Sequence, residues 1–448
     1  VAPLILEVFL ARTRSKIPGL ILPGLSFIVS LIGVLNIAAV EEKILQNIFV
    51  LMMTPGLSFF YGGMVRSKNV ISTMLQSFIA MGVISVIWVV VGFSLAFGED
   101  LGHFIGNPGT FFMFMHVGGA TDKLLAPTIP LALYALFQMK FAIITPSLIT
   151  GSFAERVRFS GYLVFMILFC IFVYCPLAHW TWHPDGFLRQ MGVLDFAGGI
   201  VVHASSGVAA LAGAIFLGRR KESGQPANIP FVLLGAAMLW LGWFGFNAGS
   251  SLAANSIAVK AFLNTNTASA TAMMTWVVFD CLRGRKPSAM GAAIGAVVGL
   301  VAITPSAGYV TVGESIFIAL VVTIICNMAV SWKNKKNSFD DALDVFPTHG
   351  VGGIVGTIMT GIFVYNASEN ITYWQNLLNH IIAVVIVCGY TFIVTYALYW
   401  ITDKMIPMRV SEKSEKIGLD MSQHDERYGI ETNRELAEYF DHGVDTKP

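Results

Sequence analysis

The sequence predicts an all-α polytopic membrane protein, and three observations carry that reading. Of 448 residues, 55% are hydrophobic and only 12% are charged, against about 25% charged in an ordinary soluble domain. The apolar residues gather in runs long enough to cross a bilayer as helices, which takes about 20 residues each. Those runs are uniformly apolar, whereas the strands of a membrane barrel would alternate polar and apolar residues. Charge is segregated as well: 18 of the 46 residues from Asp403 to Pro448 are charged, against roughly one in eleven before them. The chain divides into an N-terminal extension (1–43), a membrane domain (44–402) and a polar tail (403–448).

Eleven apolar runs follow residue 43, at 44–66, 68–97, 129–151, 159–180, 195–218, 229–253, 257–280, 288–304, 311–331, 344–364 and 376–401. Each is read as one transmembrane helix. Basic residues mark every second connection: Arg66 and Lys68, Arg156 and Arg158, Arg219–Arg220–Lys221, Arg283–Arg285–Lys286, and Lys333–Lys335–Lys336. The connections between them are nearly free of Lys and Arg. Positive charge stays inside, so the basic connections and the tail are expected in the cytoplasm, with the first helix entering from outside. In the extension, Arg12, Arg14 and Lys16 precede an apolar run from Ile17 to Val40. A signal peptide has this pattern, and so has an extra helix running from inside to outside. The length of the run favours an extra N-terminal transmembrane helix.

The net charge of +1 gives no field for nucleic acid or a strongly acidic partner. The five cysteines lie inside apolar runs without ligand spacing, so they read as buried thiols rather than a zinc site or disulfide framework. No metal or cofactor is expected. No nucleophile–base pair converges within the spans, so an enzyme is not expected either. The 43 glycines sit largely inside the spans, where small residues let helices approach closely.

Ionisable residues inside a membrane are costly and are functional suspects. They are Lys140, Asp195, His203, Lys260, Glu314, Asp344, His349 and His380. Asp195, Lys260, Glu314 and His380 fall near span ends, where long side chains snorkel and water reduces the cost. His203 and His349 are deeper. Each follows an Asp near a helix end and lies beside glycine, in the fifth and the tenth span. A five-plus-five arrangement is what an inverted repeat gives, with its site at the interface of the halves. Paired imidazoles can relay a proton or hold a small hydrogen-bonding solute. Phe137, Phe141, Trp182 and Phe246 lie within spans or at their ends. Any one of them fits ordinary membrane packing; a cluster could bind a small cation through ring faces.

Six ordered motifs carry a resemblance over roughly residues 44–430. They are Thr54-Pro-Gly-Leu-Ser-Phe-Phe-Tyr-Gly-Gly63, Phe141-Ala-Ile-Ile-Thr145 with Phe153-Ala-Glu-Arg156, Asp195-Phe-Ala-Gly-Gly with His203, Trp243-Phe-Gly-Phe-Asn-Ala-Gly-Ser250, Asn264-Thr-Asn266, and Asp344-Val-Phe-Pro-Thr-His349-Gly. The chain resembles the ammonium transporter (Amt/Rhesus) family, on its Amt branch. The resemblance implies an eleven-helix core in two inverted five-helix halves, and a homotrimer with one pore per subunit in the cytoplasmic membrane. It implies that ammonium is recruited outside by the ring faces of Trp182 and Phe141 and the hydroxyl of Ser250, with Asp195 structural and electrostatic rather than a direct ligand. Phe141 and Phe246 match the stacked gate, Phe137 lines its approach, and His203 and His349 match the twin histidines of an apolar pore. There ammonium would leave its proton and cross as ammonia, while potassium, which has no proton to give, is rejected.

Four features depart from the family pattern: Lys140 beside the gate position, Lys260 in its span, the N-terminal extension, and a tail that runs past the family's end. The tail's last segment, Glu431–Phe440, has helix-like spacing. Lys140, the extra helix and the long tail motivate an alternative: an ammonium sensor of the same fold, coupled through its tail to a signalling module. The resemblance also implies a cytoplasmic docking face for a PII-type regulatory protein or a fused signalling domain.

Overall fold

A computed structural model describes residues 39–336, 338–364 and 371–429. The run Ile17–Val40 lies almost wholly outside the described residues, and Glu431–Phe440 lies entirely outside them. Helical structure occupies all eleven expected stretches. The helices run Ala39–Leu51 with Met53–Met64, Val70–Phe97, Leu131–Ile149, Phe159–Trp182, Gly199–Leu217, Ile229–Gly249, Ser256–Leu282, Ala289–Ile303, Val312–Lys336, Phe346–Phe363 and Tyr373–Met405. Among the described residues, eight helices are long and apolar enough to cross a membrane. Ala289–Ile303 is apolar but only 15 residues long.

Polar caps start several of these helices. The side chains of Asn228, Asn255, Ser288 and Thr372 accept from Phe231, Ala258, Gly291 and Gln375 N–H respectively. Each satisfies one of the N–H groups that a helix start leaves unpaired. Four helical stretches contain a π turn, at Trp88–Gly92, Cys170–Tyr174, Gly199–Ala204 and Phe346–Gly350. Such one-residue expansions recur at functional sites, and the last two carry His203 and His349. Between Phe97 and Leu131, two short antiparallel strand pairs, Asp100–Leu101 with Ile105–Gly106 and Thr121–Asp122 with Ala126–Pro130, form a cap over one end of the bundle.

The opposite end carries the basic connections and is held by ion pairs. Glu155, whose backbone adopts φ 70°, accepts from Arg66 N and Nε at 2.8 and 3.0 Å, Asn69 Nδ2 at 3.2 Å and Arg220 Nη1 at 3.0 Å. Arg220 also grips Asp340 with Nε and Nη2, each at 2.8 Å. Arg66, Glu155 and Arg220 come from the first half of the chain and Asp340 from the second, so the network ties the halves together. The tail docks on this end. Asp420 accepts the N–H groups of Ile71 and Ser72 at 3.0 and 2.7 Å, at the positive start of a helix. Gln423 bonds Phe159 N and Val157 O, and Arg409 reaches the carbonyls of Leu217 and Arg219.

Burial raises the Asp340 carboxyl, but the bonds and charge of Arg220 and the charge of Arg156 outweigh it and hold it at about 2. Burial likewise opposes ionisation of Glu155, and the charge of Arg66 outweighs it, lowering its pKa. A depressed carboxylate contributes stability above its ordinary range, and that contribution is lost as pH falls through the folded-state value. Thermal unfolding in detergent is therefore expected to show stability falling between about pH 4 and 2. Arg220→Gln should cost about 1–3 kcal/mol at neutral pH, since Asp340 loses its ion pair while Glu155 keeps Arg66 and Asn69. A melting temperature unchanged by the substitution would contradict this.

Candidate functional site

The site runs inward from the capped end. A vestibule of about 600 Å³ is lined by Phe137, Gln138, Phe141, Trp182, Asp195, Ser250 and residues of the cap. At its floor the Phe141 and Phe246 rings stack, with centroids 4.0 Å apart and planes at 20°. Phe137 packs edge-on above Phe141 at 4.9 Å, and Trp182 meets Phe141 at 5.6 Å and 84°. Trp182 is held there by its indole N–H, which donates to Asp195 O at 2.9 Å. Ser250 Oγ donates to Phe246 O at 2.9 Å. Its proton is spent and its lone pairs remain.

Beneath the stacked rings lie the imidazoles. The His203 and His349 rings are 5.4 Å apart, with Nδ1 to Nδ1 at 3.3 Å. Both are buried, at 1% and 2% exposure. Two ring nitrogens at that distance share one proton, one donating and one accepting. His203 Nε2 has no hydrogen-bond partner among the described residues. The imidazoles face a cavity otherwise lined by Met53, Leu57, Phe60, Ile144, Leu148, Leu239, Trp243 and Val297, whose free volume is about 10 Å³. That is the scale of one water molecule. No bare ion would enter such a lining without a large desolvation cost.

Local backbone geometry explains why the imidazoles meet. Asp195 accepts N–H groups from Gly198, Gly199, Ile200 and Val201 at 2.6–3.3 Å. Its carboxylate therefore terminates the helix start that carries His203. Asp341 accepts Phe346 N at 2.7 Å and does the same for the π turn carrying His349. The two helices then cross backbone against backbone. A Cβ added to Gly207 would lie 2.0 Å from Gly350 N and 2.2 Å from Gly350 Cα, and one on Gly353 would lie 2.6 Å from Ala204 N. No side chain fits at either crossing.

Asp344, the acid that sequence reading set beside His349, has another task. It pairs with Lys333 at 2.5 Å, and its own backbone has φ 59°. The counterpart of Asp195 is Asp341. The signal was present, because each precedes its histidine by eight residues. Trp243 also escaped notice beyond its motif. Its ring stacks on His203 at 5.2 Å and 18°, anchored by an indole N–H bond to Thr304 Oγ1 at 2.9 Å. Lys140 lines neither the vestibule nor the inner cavity. Its Nζ folds back onto Leu136 O at 2.6 Å, on a helix face turned from the stacked rings. Lys260 is exposed in the first turns of its helix. Glu314 caps its own helix start through Thr311 N, and His380 is a structural connector, accepting Leu194 N at 3.1 Å.

A bundle of apolar helices around a ring-lined vestibule and a narrow apolar cavity defines a membrane protein built for a small solute. The chain matches the profile of the Ammonium Transporter Family across residues 44–428. It is 42% identical over 389 residues to the ammonium transporter of Bacillus subtilis, covering 85% of this chain and 95% of that protein. It is 43% identical over 384 residues to the ammonium transporter of Aquifex aeolicus, covering 84% and 90%. Saccharomyces cerevisiae Mep2 superposes with a TM-score of 0.77 at 33% identity, covering 87% of this chain and 91% of that one. A structure described as a sensor Amt protein gives 0.79 at 30%, covering 85% and 97%. The chain belongs to the ammonium transporter family.

The glycine crossing makes a prediction. Gly207→Ala should destabilise the protein by about 1–3 kcal/mol through overpacking at the crossing with Gly350. Gly82→Ala, where nothing lies within 4 Å of the added Cβ, should leave melting unchanged or raise it. Melting curves of the purified variants check both, and equal curves would refute the crossing as a constraint.

Proposed function

We propose that the protein transports ammonium across the cytoplasmic membrane, recruiting the ion at the vestibule and passing it along the paired histidines as ammonia. The observation that carries this reading is the order of groups on one line: ring faces, a stacked gate, then two facing imidazoles in an apolar cavity. Ring faces attract a small cation without the full charge that would hold it too tightly. Ser250 offers a lone pair to an N–H. Past the gate an apolar lining favours the neutral species, so the proton must be left behind, and an imidazole pair sharing one proton is chemistry suited to taking or passing it.

The same reading puts the capped end outside and the basic end, with the tail 403–448, in the cytoplasm, following the positive-inside rule. The membrane domain 44–402 then crosses eleven times as two inverted halves, which the matched Asp195–His203 and Asp341–His349 pairs support. A homotrimer is supported by the helix Ser256–Leu282, which leaves Asn266 exposed in mid-helix on a single chain. An amide facing lipid there is unfavourable, and a second copy would cover it. A PII-type protein or a fused signalling domain would act from the basic end, where the docked tail lies.

The second reading is a sensor. The likeness to a sensor Amt protein and the closed 4.0 Å ring stack favour it: binding at the vestibule would be read out without turnover. Ammonium-pulse currents in proteoliposomes, with potassium as control and parallel uptake measurements, separate the two. A transporter gives ammonium-specific uptake that is lost or made less selective in His203→Ala and His349→Ala variants, with assembly intact. Binding without uptake or sustained current points to the sensor. Unaltered ammonium selectivity in both variants sinks the paired-histidine role.

A further inference from the structure

Resting on the reading of the vestibule as the ammonium site, we infer that Gln138 is a further hydrogen-bond acceptor of that site and a determinant of selectivity for ammonium over methylated amines. Gln138 lies between Phe137 and Phe141 on one helix and lines the vestibule, yet it is only 7% exposed. Its Nε2 donates to Tyr134 Oη at 3.3 Å, one turn back on the same helix. Its Oε1 has no hydrogen-bond partner among the described residues. A buried carbonyl oxygen without a donor is unfavourable, and Gln138 carries this one in the wall of the vestibule.

The neighbouring polar groups follow one pattern. Ser250 spends its O–H on Phe246 O, Trp182 spends its N–H on Asp195 O, and Gln138 spends an N–H on Tyr134. What these three groups leave toward the vestibule is lone pairs and ring faces, while Arg189 supplies the cationic part of the same wall. The part of the wall formed by Ser250, Trp182, Phe141 and Gln138 is complementary to a ligand that only donates. Ammonium has four N–H groups and no lone pair. Ser250 Oγ, Gln138 Oε1 and the faces of Trp182 and Phe141 make four acceptors. Methylammonium has three N–H groups, so one acceptor goes unfilled whenever it binds. Removing one acceptor therefore weakens ammonium more than methylammonium, and the preference between them falls.

The test is the half-saturating concentration of ammonium-evoked and methylammonium-evoked currents, transient or sustained, in proteoliposomes. Gln138→Leu is expected to raise the ammonium value about tenfold, the scale of one hydrogen bond to a charged ligand. The methylammonium value should rise less than about threefold on the same scale. Gln138→Glu, which keeps an acceptor, should restore ammonium affinity, and Gln138→Met serves if the leucine variant does not assemble. Equal shifts for both amines would reduce Gln138 to a packing residue. A gain in ammonium affinity on removing the amide would mean that its N–H₂ end faces the site, and would also overturn the inference. Trp182→Leu, measured alongside, separates the two levels. If it leaves the ammonium value unchanged, the vestibule reading itself fails; if it raises that value while Gln138→Leu does not, only the role of Gln138 fails.

Discussion

The structure depends on two helices crossing with nothing between their backbones. Gly207 meets Gly350, and Gly353 meets Ala204, at distances that exclude a methyl group. Membrane helices gain little from apolar burial against one another, since lipid is equally apolar, and close packing must hold them. At this crossing the packing also brings His203 and His349 into hydrogen-bond range. The π turns decide which way each ring points, and Trp243 keeps one of them from turning.

The two aspartates relieve what such crossings impose. Each helix begins inside the bundle rather than at its edge, so its first N–H groups have no water to meet. Asp195 and Asp341 accept those N–H groups from opposite ends of the molecule. A carboxylate engaged in this way is largely compensated by N–H dipoles. The vestibule thus carries in its wall a carboxylate already engaged by N–H groups, beside ring faces and the cationic Arg189.

Much of this was legible in the residues. A bilayer imposes apolar runs of fixed length, so the helical stretches and their order follow from composition alone. Asp195, His203, Phe141 and Phe246 were legible from their place in those runs and from ordered motifs. Side-chain direction was not. Lys140 precedes Phe141 in sequence and faces away from the ring stack in space, which only the rotation of its helix decides. Asp344 is nearer to His349 in sequence than Asp341 is, and a left-handed backbone turns it toward Lys333 instead. Gln138 gave no sequence signal at all, because its significance lies in which of its atoms lacks a partner. Asn266, by contrast, stood in a recognised motif, and only the structure shows that it is exposed on a single chain.

The narrowness of the cavity beside the histidines bears on the membrane as a whole. Protons cross lipid efficiently along unbroken files of water, handed from oxygen to oxygen. A gap with room for about one molecule, under rings that touch, cannot hold such a file at rest. Many idle copies can therefore sit in an energised membrane without short-circuiting it.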